Sequence, residues 1–335
     1  PDYDAVKAIF AEGNWLHDQS GKAIDITKKE YWANFWGMSQ FEYSGKCLIK
    51  PHTHNFENGS CPCGETCVAS VMGDGTEKFY SSFDEAWAAA IENQGSTLTL
   101  QCDVELAKEN HGPSVSKGNF TLDLNGKTLK QNAFEELILV DGSANITIQN
   151  GKLVNTLNMD SSVVGSSNGV ALKINNGTVV LDGVELTSGT GDEGKKSFAL
   201  EMEGGNLTVT NSTFNGGLSV KYTLDGHPEL KVANTTLHNG IGFLFFGSGN
   251  PDYEAVKAIF AEGNWLHDQS GKAIDITKED CWITAESMSA FYYPGECQIV
   301  PHTHNFENGS CPCGETRVAS VTAADGETTY YTEIQ

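Results

Sequence analysis

The amino-acid sequence predicts an all-β protein: a right-handed parallel β-helix with a short capping helix, flanked by two copies of a small linker module that carries cysteine and histidine. Three observations lead there. Set against itself at a shift of 250 residues, the chain aligns Pro1–Thr66 with Pro251–Thr316, opening PDYDAVKAIFAEGNWLHDQSGKAIDITK and PDYEAVKAIFAEGNWLHDQSGKAIDITK. Between the copies, five segments share a short alternating strand, an Asn, Asp or Gly corner and a second short strand. They are Asn119–Leu129, Asn145–Asn155, Thr178–Ser188, Asn206–Gly216 and Glu229–Asn239. Finally, 36 glycines and a middle rich in Asn, Thr, Ser and Val make a turn-dense, strand-favouring composition.

The expected order is a first module over 1–67, a β-helix over 68–250, a second module over 251–317, and the opening of another β-helix over 318–335. The last assignment follows from VASVMGDGTEKFYSSF at 68–83, echoed by VASVTAADGETTYYTEI at 318–334. Such a period is a whole domain in tandem, so the chain reads as a processed piece of a longer array whose linked weak sites gain avidity. In the first module, Ala5–Leu16 reads as a short helix or turn docking on the end of the β-helix. Asn14–Ile26 reads as a hairpin around Gln19, Ser20 and Gly21.

In the β-helix, Ser81–Asn93 is the one convincing helix. Ser81 or Ser82 is the expected N-cap, Asp84 and Glu85 fall in the first turn, and Ala88–Ala90 favour helix. The rungs start at 119, 145, 178, 206 and 229, separated by 26, 33, 28 and 23 residues, which suits stacked turns with loops of varying length. Period-two alternation puts Phe120, Leu122 and Leu124, Ile146 and Ile148, and Leu207 and Val209 on inward faces. A β-sandwich also uses short strands and frequent turns, but it does not need units this self-similar.

Charge and chemistry narrow the function. With 21 Lys+Arg against 44 Asp+Glu the net charge is −23, and Arg317 is the only arginine, which argues against binding nucleic acid or anionic lipid. No apolar run approaches a membrane span. The rung acids Asp123, Asp141, Asp182, Glu185, Glu201 and Glu203 are scattered, the lysines share no register, and His227 reads as a loop tip. A β-helix enzyme acting on polysaccharide would cluster such groups, so the chain is expected not to be an enzyme. Asn-X-Ser/Thr triplets at Asn58, Asn119, Asn145, Asn176, Asn206, Asn211, Asn234 and Asn308 are read as corner composition rather than glycan sites.

The sharpest motif lies in the modules. The first reads Cys47-LIKP-His52-T-His54-NFENGS-Cys61-P-Cys63-GET-Cys67. The second reads Cys297-QIVP-His302-T-His304-NFENGS-Cys311-P-Cys313-GET-Arg317. A His-x-His pair and a Cys-x-Cys pair around an NGS turn bring four soft or borderline donors together, as tetrahedral zinc requires, with Cys47 and Cys297 as substitutes for one histidine. Disulfides compete, because each module holds four cysteines and only Cys102 stands apart. Yet Cys67 becomes Arg317 and Cys281 replaces Tyr31, a change of partners that a fixed disulfide framework does not tolerate and a metal site survives. Structural zinc is therefore the favoured reading, and Cys102 is read as a small buried hydrophobe.

Aromatic residues precede the cluster. Phe35 and Trp36 become Ala285 and Glu286 in the second copy, an exchange that a buried Trp does not permit, so Trp36 is expected at the surface. Trp32, Phe35, Trp36, Tyr43, Trp282, Tyr292 and Tyr293 are the candidate ligand contacts, as exposed aromatics stack on sugars or anchor protein partners.

The order VASV, EAWAAA, TLTL, then β-helical rungs, then GNW and GKAID, then HTHNFENGSCPCG resembles the repeat unit of large cell-surface proteins of Gram-positive gut bacteria. The likeness covers essentially the whole chain, although Cys-Pro-Cys departs from the commoner Cys-x-x-Cys. It implies a secreted, cell-wall-attached, monomeric tandem-repeat adhesin that binds a host protein. Some such proteins are similar in build to immunoglobulin-binding superantigens, which makes immunoglobulin the specific expectation. A mucin- or glycan-binding module is the alternative.

Overall fold

The structure, a computed structural model, describes residues 1–10, 13–52, 54, 56, 61–63, 65–106, 112–133, 135–157, 169–189, 198–223, 228–247, 249–304, 306, 311–313, 318–323 and 325–331. Asn58, Asn308, His227 and Arg317, singled out above, lie outside the described residues. Contacts divide the chain into two compact units, 1–104 and 105–335.

The first unit opens with helix α1 (Tyr3–Lys7), capped by Asp2, whose carboxylate accepts the Ala5 N–H at 3.0 Å. Strand Asn14–Asp18 pairs antiparallel with Cys47–Pro51. The expected turn after it is built on Asp18, whose Oδ1 accepts from Ser20 N, Ser20 Oγ and Lys22 N. The Ser20 hydroxyl first, then these amides, hold the Asp18 carboxyl below its ordinary range. A second hairpin pairs Trp32–Phe35 with Met38–Phe41. The unit ends in an antiparallel sheet of Ala69–Gly73 with Thr76–Tyr80 and Ser96–Leu100, packed by helix α2 (Phe83–Glu92) through Phe83, Ala86, Trp87 and Ala90. Ser82 takes the N-cap position, although its side chain makes no capping hydrogen bond.

The second unit holds a parallel β-solenoid of about five turns. Each turn gives one strand to each of three faces. On the first, Asn119–Asp123 leads through the opening halves of Asn145–Asn155 and Thr178–Thr187 to Asn206–Thr210 and Glu229–Ala233, all in parallel register. Phe120, Ile146, Val179, Leu207 and Leu230 thus stack in one inward column, and Leu122, Ile148, Leu181, Val209 and Val232 in the next. The second face stacks Leu129, Leu153, Leu186, Phe214 and Leu237. The third stacks Ile138, Leu172, Leu200, Leu218 and Ile241. No single turn buries these faces alone, so stability comes from stacking.

Corners explain the Asn and Gly content. Asn150, Asn211 and Asn234 bend the chain with φ of 58°, 51° and 46°, in the left-handed region that Asn tolerates. Their side chains join cross-turn ladders: Asn150 to Asp123, Asn211 to Asp182, and Asn234 to Asn211. At another corner Gly205 has φ +78°, and a Cβ there would clash with the Gly177 carbonyl oxygen.

The second module closes the last turn of the solenoid. Cys297–Pro301 pairs antiparallel with Thr235–Leu237, and Met288–Tyr293 with Ile241–Phe246. After helix α3 (Tyr253–Ile259), Phe260 bridges to Val232 and Ala261 N donates to Val232 O at 3.1 Å. All three faces thereby end against module backbone rather than water, which removes an open edge.

Candidate metal centre

Each module folds its Cys/His motif into one donor group. In the first, His52, His54, Cys61 and Cys63 present ligand atoms within 4.8 Å of one another. In the second, His302, His304, Cys311 and Cys313 do the same. A tetrahedral metal bound at ~2.0–2.3 Å sets its ligands roughly 3.3–3.8 Å apart. His52 Nε2 lies 3.1 Å from Cys61 Sγ, and His54 Nδ1 lies 3.3 Å from Cys63 Sγ. The second copy repeats these at 3.0 and 3.3 Å. Both groups can therefore hold a metal ion, and two thiolates with two imidazoles suit a borderline or soft one rather than calcium or magnesium.

The local fold produces the convergence. The Cys47–Pro51 strand delivers His52 at its end, and both Cys61 and Cys63 are buried with Val6, Trp15, Ile26 and Phe56. His54 is at the surface and stacks on Phe56, ring centroids 5.6 Å apart. Burial, then the neighbouring His54 and His17, pushes the His52 imidazole down to about 4, and burial acts likewise on His302. His52 and His302 are thus neutral and ready to ligate at pH 7. Burial raises the Cys63 thiol, so a metal must displace its proton.

A further residue orients this set and was missed in the sequence. His17, buried in strand Asn14–Asp18, has Nδ1 2.9 Å from Trp15 O. A carbonyl only accepts, so Nδ1 carries the proton and Nε2 is bare. That bare nitrogen lies 3.3 Å from His52 Nδ1 and accepts its N–H, which leaves His52 Nε2 with a lone pair facing Cys61. His267 and His302 repeat the relay at 3.0 and 3.1 Å. The retained NWLHD in both copies was the available signal. His17→Ala is expected to weaken metal binding by about 10–100-fold, as loss of an outer-shell partner does. Competition against a coloured chelator measures this, and an unchanged affinity rejects the relay.

Cys47 and Cys297 stand outside the donor groups. Cys47 is exposed, whereas Cys297 is fully buried opposite Leu237. None of the nine cysteines is joined in a disulfide, and Cys102 is half-buried.

The aromatic candidates separate by copy. Trp32 is half-buried, its indole N–H donating to Ile26 O at 2.6 Å, and Tyr43 packs edge-on to Tyr31. Phe35 is exposed, and Trp36 is 98% exposed at φ 53° in a tight turn with Gly37. Trp282 is buried against Phe245, Tyr253 and Phe291, Tyr292 is exposed, and Tyr293 is half-buried. Beside them a cleft of about 540 Å³ is lined by Tyr222, Phe245, Phe246, Asp252, Tyr253 and Glu254 among others.

Four of the solenoid acids are engaged by neighbouring turns, whereas Asp141 accepts from Gly142 N of its own corner at 2.7 Å. Asp123 accepts from Gln149 and Asn150, Asp182 from Thr210 and Asn211, Glu185 from Asn215, and Glu203 from Lys221. Burial raises the Glu201 carboxyl. No protein-family model, curated protein or solved structure matches this chain.

Proposed function

We propose that the chain is a non-enzymatic repeat unit of a secreted, cell-wall-attached bacterial surface protein, its modules stapled by structural zinc and its aromatic surface binding a host protein. The observation that carries it is the pair of closed donor groups. Four protein ligands fill a tetrahedral shell, which leaves no position for a substrate or an activated water. Engagement of Asp123, Asp182 and Glu185 in cross-turn hydrogen bonds points the same way.

Trp36 supports the binding half. A bulky side chain at positive φ is strained by about 1–3 kcal/mol, and at 98% exposure this one recovers none of it by packing. A partner that covers the indole would recover it. Immunoglobulin is the first partner to test. The cleft beside Tyr222 and Tyr253, with Asp252 and Glu254 on its lining, favours a glycan as the second reading.

Elemental analysis of the purified chain is expected to find two zinc ions. Polyclonal immunoglobulin on a biosensor is expected to bind at micromolar Kd or better and to weaken at least tenfold with Trp36→Asn, a replacement that suits the turn. Binding to arrayed mucin glycans but to no immunoglobulin subclass would replace the first reading by the second. Absence of metal with intact disulfides would remove the staple.

A further inference from the structure

The two modules make the same internal pairings in different surroundings. Asn14–Asp18 with Cys47–Pro51 matches Asn264–Asp268 with Cys297–Pro301 residue for residue, and the hairpin Trp32–Phe41 matches Trp282–Phe291. In the second module both outer strands continue into the solenoid's last turn, where Ile299 is 0% exposed and Ser289 and Phe291 are fully buried. In the first, the same strands stay in two-stranded sheets. Ile49, equivalent to Ile299, is 62% exposed, with Leu48 at 56% and Met38 at 70%. An apolar strand edge with unpaired backbone groups is a template for another strand.

We infer that this edge, Met38–Phe41 with Cys47–Pro51, is the docking site for the last turn of a further β-solenoid domain of the same build, in the tandem order that the 250-residue repeat implies. The occupant is defined by chemistry already present in the chain. A short strand like Thr235–Leu237 seats against Cys47–Pro51, and an apolar strand like Ile241–Phe246 seats against Met38–Phe41. One difference tunes the fit. Glu296 pairs with His238 Nδ1 at 3.2 Å, and Lys46 stands at the equivalent place. An acid at the place of His238 would pair with Lys46. The module then closes the last turn of the docked solenoid, as the second module does for the solenoid of this chain.

The inference rests on the repeat-unit reading above, and a tandem protein tests it. Residues 1–250 are placed before 1–335, with Cys47→Ser in the leading copy, so that the reactive Cys47 belongs to the inner module. The zinc-loaded tandem is alkylated with iodoacetamide and followed by peptide mass spectrometry. Inner Cys47 is expected to react at least tenfold more slowly than Cys47 of the 335-residue chain, and more slowly still with His238→Glu in the leading copy. Ile49→Asp in the inner module, at a position exposed in the shorter chain, is expected to restore the rate. An unchanged rate in the tandem, or protection that survives Ile49→Asp, overturns the docking. Zinc content, expected at three per tandem chain, reports on the staple separately.

Discussion

Cys61→Ser is expected to cut the zinc content from two ions to one per chain and to unfold the first module, with loss of amide protection over residues 14–18 and 47–51. The size of the effect follows from how little else holds that module. Its buried cluster is Val6, Trp15, Ile26 and Phe56 together with three cysteines, two of them in the candidate donor group, with Phe10, Ala23, Trp32 and Phe41 half-buried against it. A structural zinc contributes an apparent ~10–16 kcal/mol at pH 7, more than so small a core supplies. Cys311→Ser is expected to remove the other ion but to leave strands 288–293 and 297–301 protected, because these pair with the solenoid. Hydrogen exchange with elemental analysis reads both variants. Two ions retained in Cys61→Ser would refute the donor assignment.

Acid gives the same site a signed test. Metal-free, folded His52 titrates near 4, below its ordinary 6.5. Between those values the unfolded chain binds a proton that the folded module refuses, so stability falls as pH drops from about 6.5 to about 4 and levels off below. With zinc present, protons compete directly for the thiolates, and affinity rises by about tenfold per pH unit for each proton displaced. Titration of a zinc-sensitive dye between pH 6 and 8 measures that slope, and a flat profile would exclude thiolate ligands.

Phe214→Ala is expected to destabilise the solenoid by about 3–5 kcal/mol, the cost of a cavity left by a large buried aromatic. Phe214 is fully buried between Leu186 and Leu237 in the second-face column, so neither neighbour can move in without leaving its own place in the stack. For a unit of this size the loss amounts to a fall in Tm of roughly 6–20 °C. Phe214→Leu, which matches the other members of the column, is expected to cost less than about 1.5 kcal/mol. Thermal unfolding followed by circular dichroism measures both. A shift below about 2 °C for the alanine variant would show that the column is not a continuous core.

Much of this architecture is legible in the sequence. Alternation in NFTLDLNGKTL and its four relatives placed Phe120, Leu122, Ile146, Ile148, Leu207 and Val209 inside, and all are buried. That pattern reads directly because a strand's inward residues recur at every second position whatever the chain packs against. The exchange of Trp36 for Glu286 marked a surface position, and Trp36 is exposed. His17 was overlooked because a buried histidine in NWLHD carries no spacing signature. Its role appears only when strand pairing brings it beside His52.

The sequence by itself determined the strand alternation, the Asn and Gly corners, the helix over 83–92 and the five Cys and His candidates in each module, since each depends on residues close together in the chain. Only the tertiary structure decided which cysteines join the donor group, that a second histidine orients the first, and that Ile49 and Ile299 lie in opposite environments. The physical reason is that burial belongs to the neighbour as much as to the residue. One strand sequence is core where a solenoid turn pairs with it and an open edge where none does.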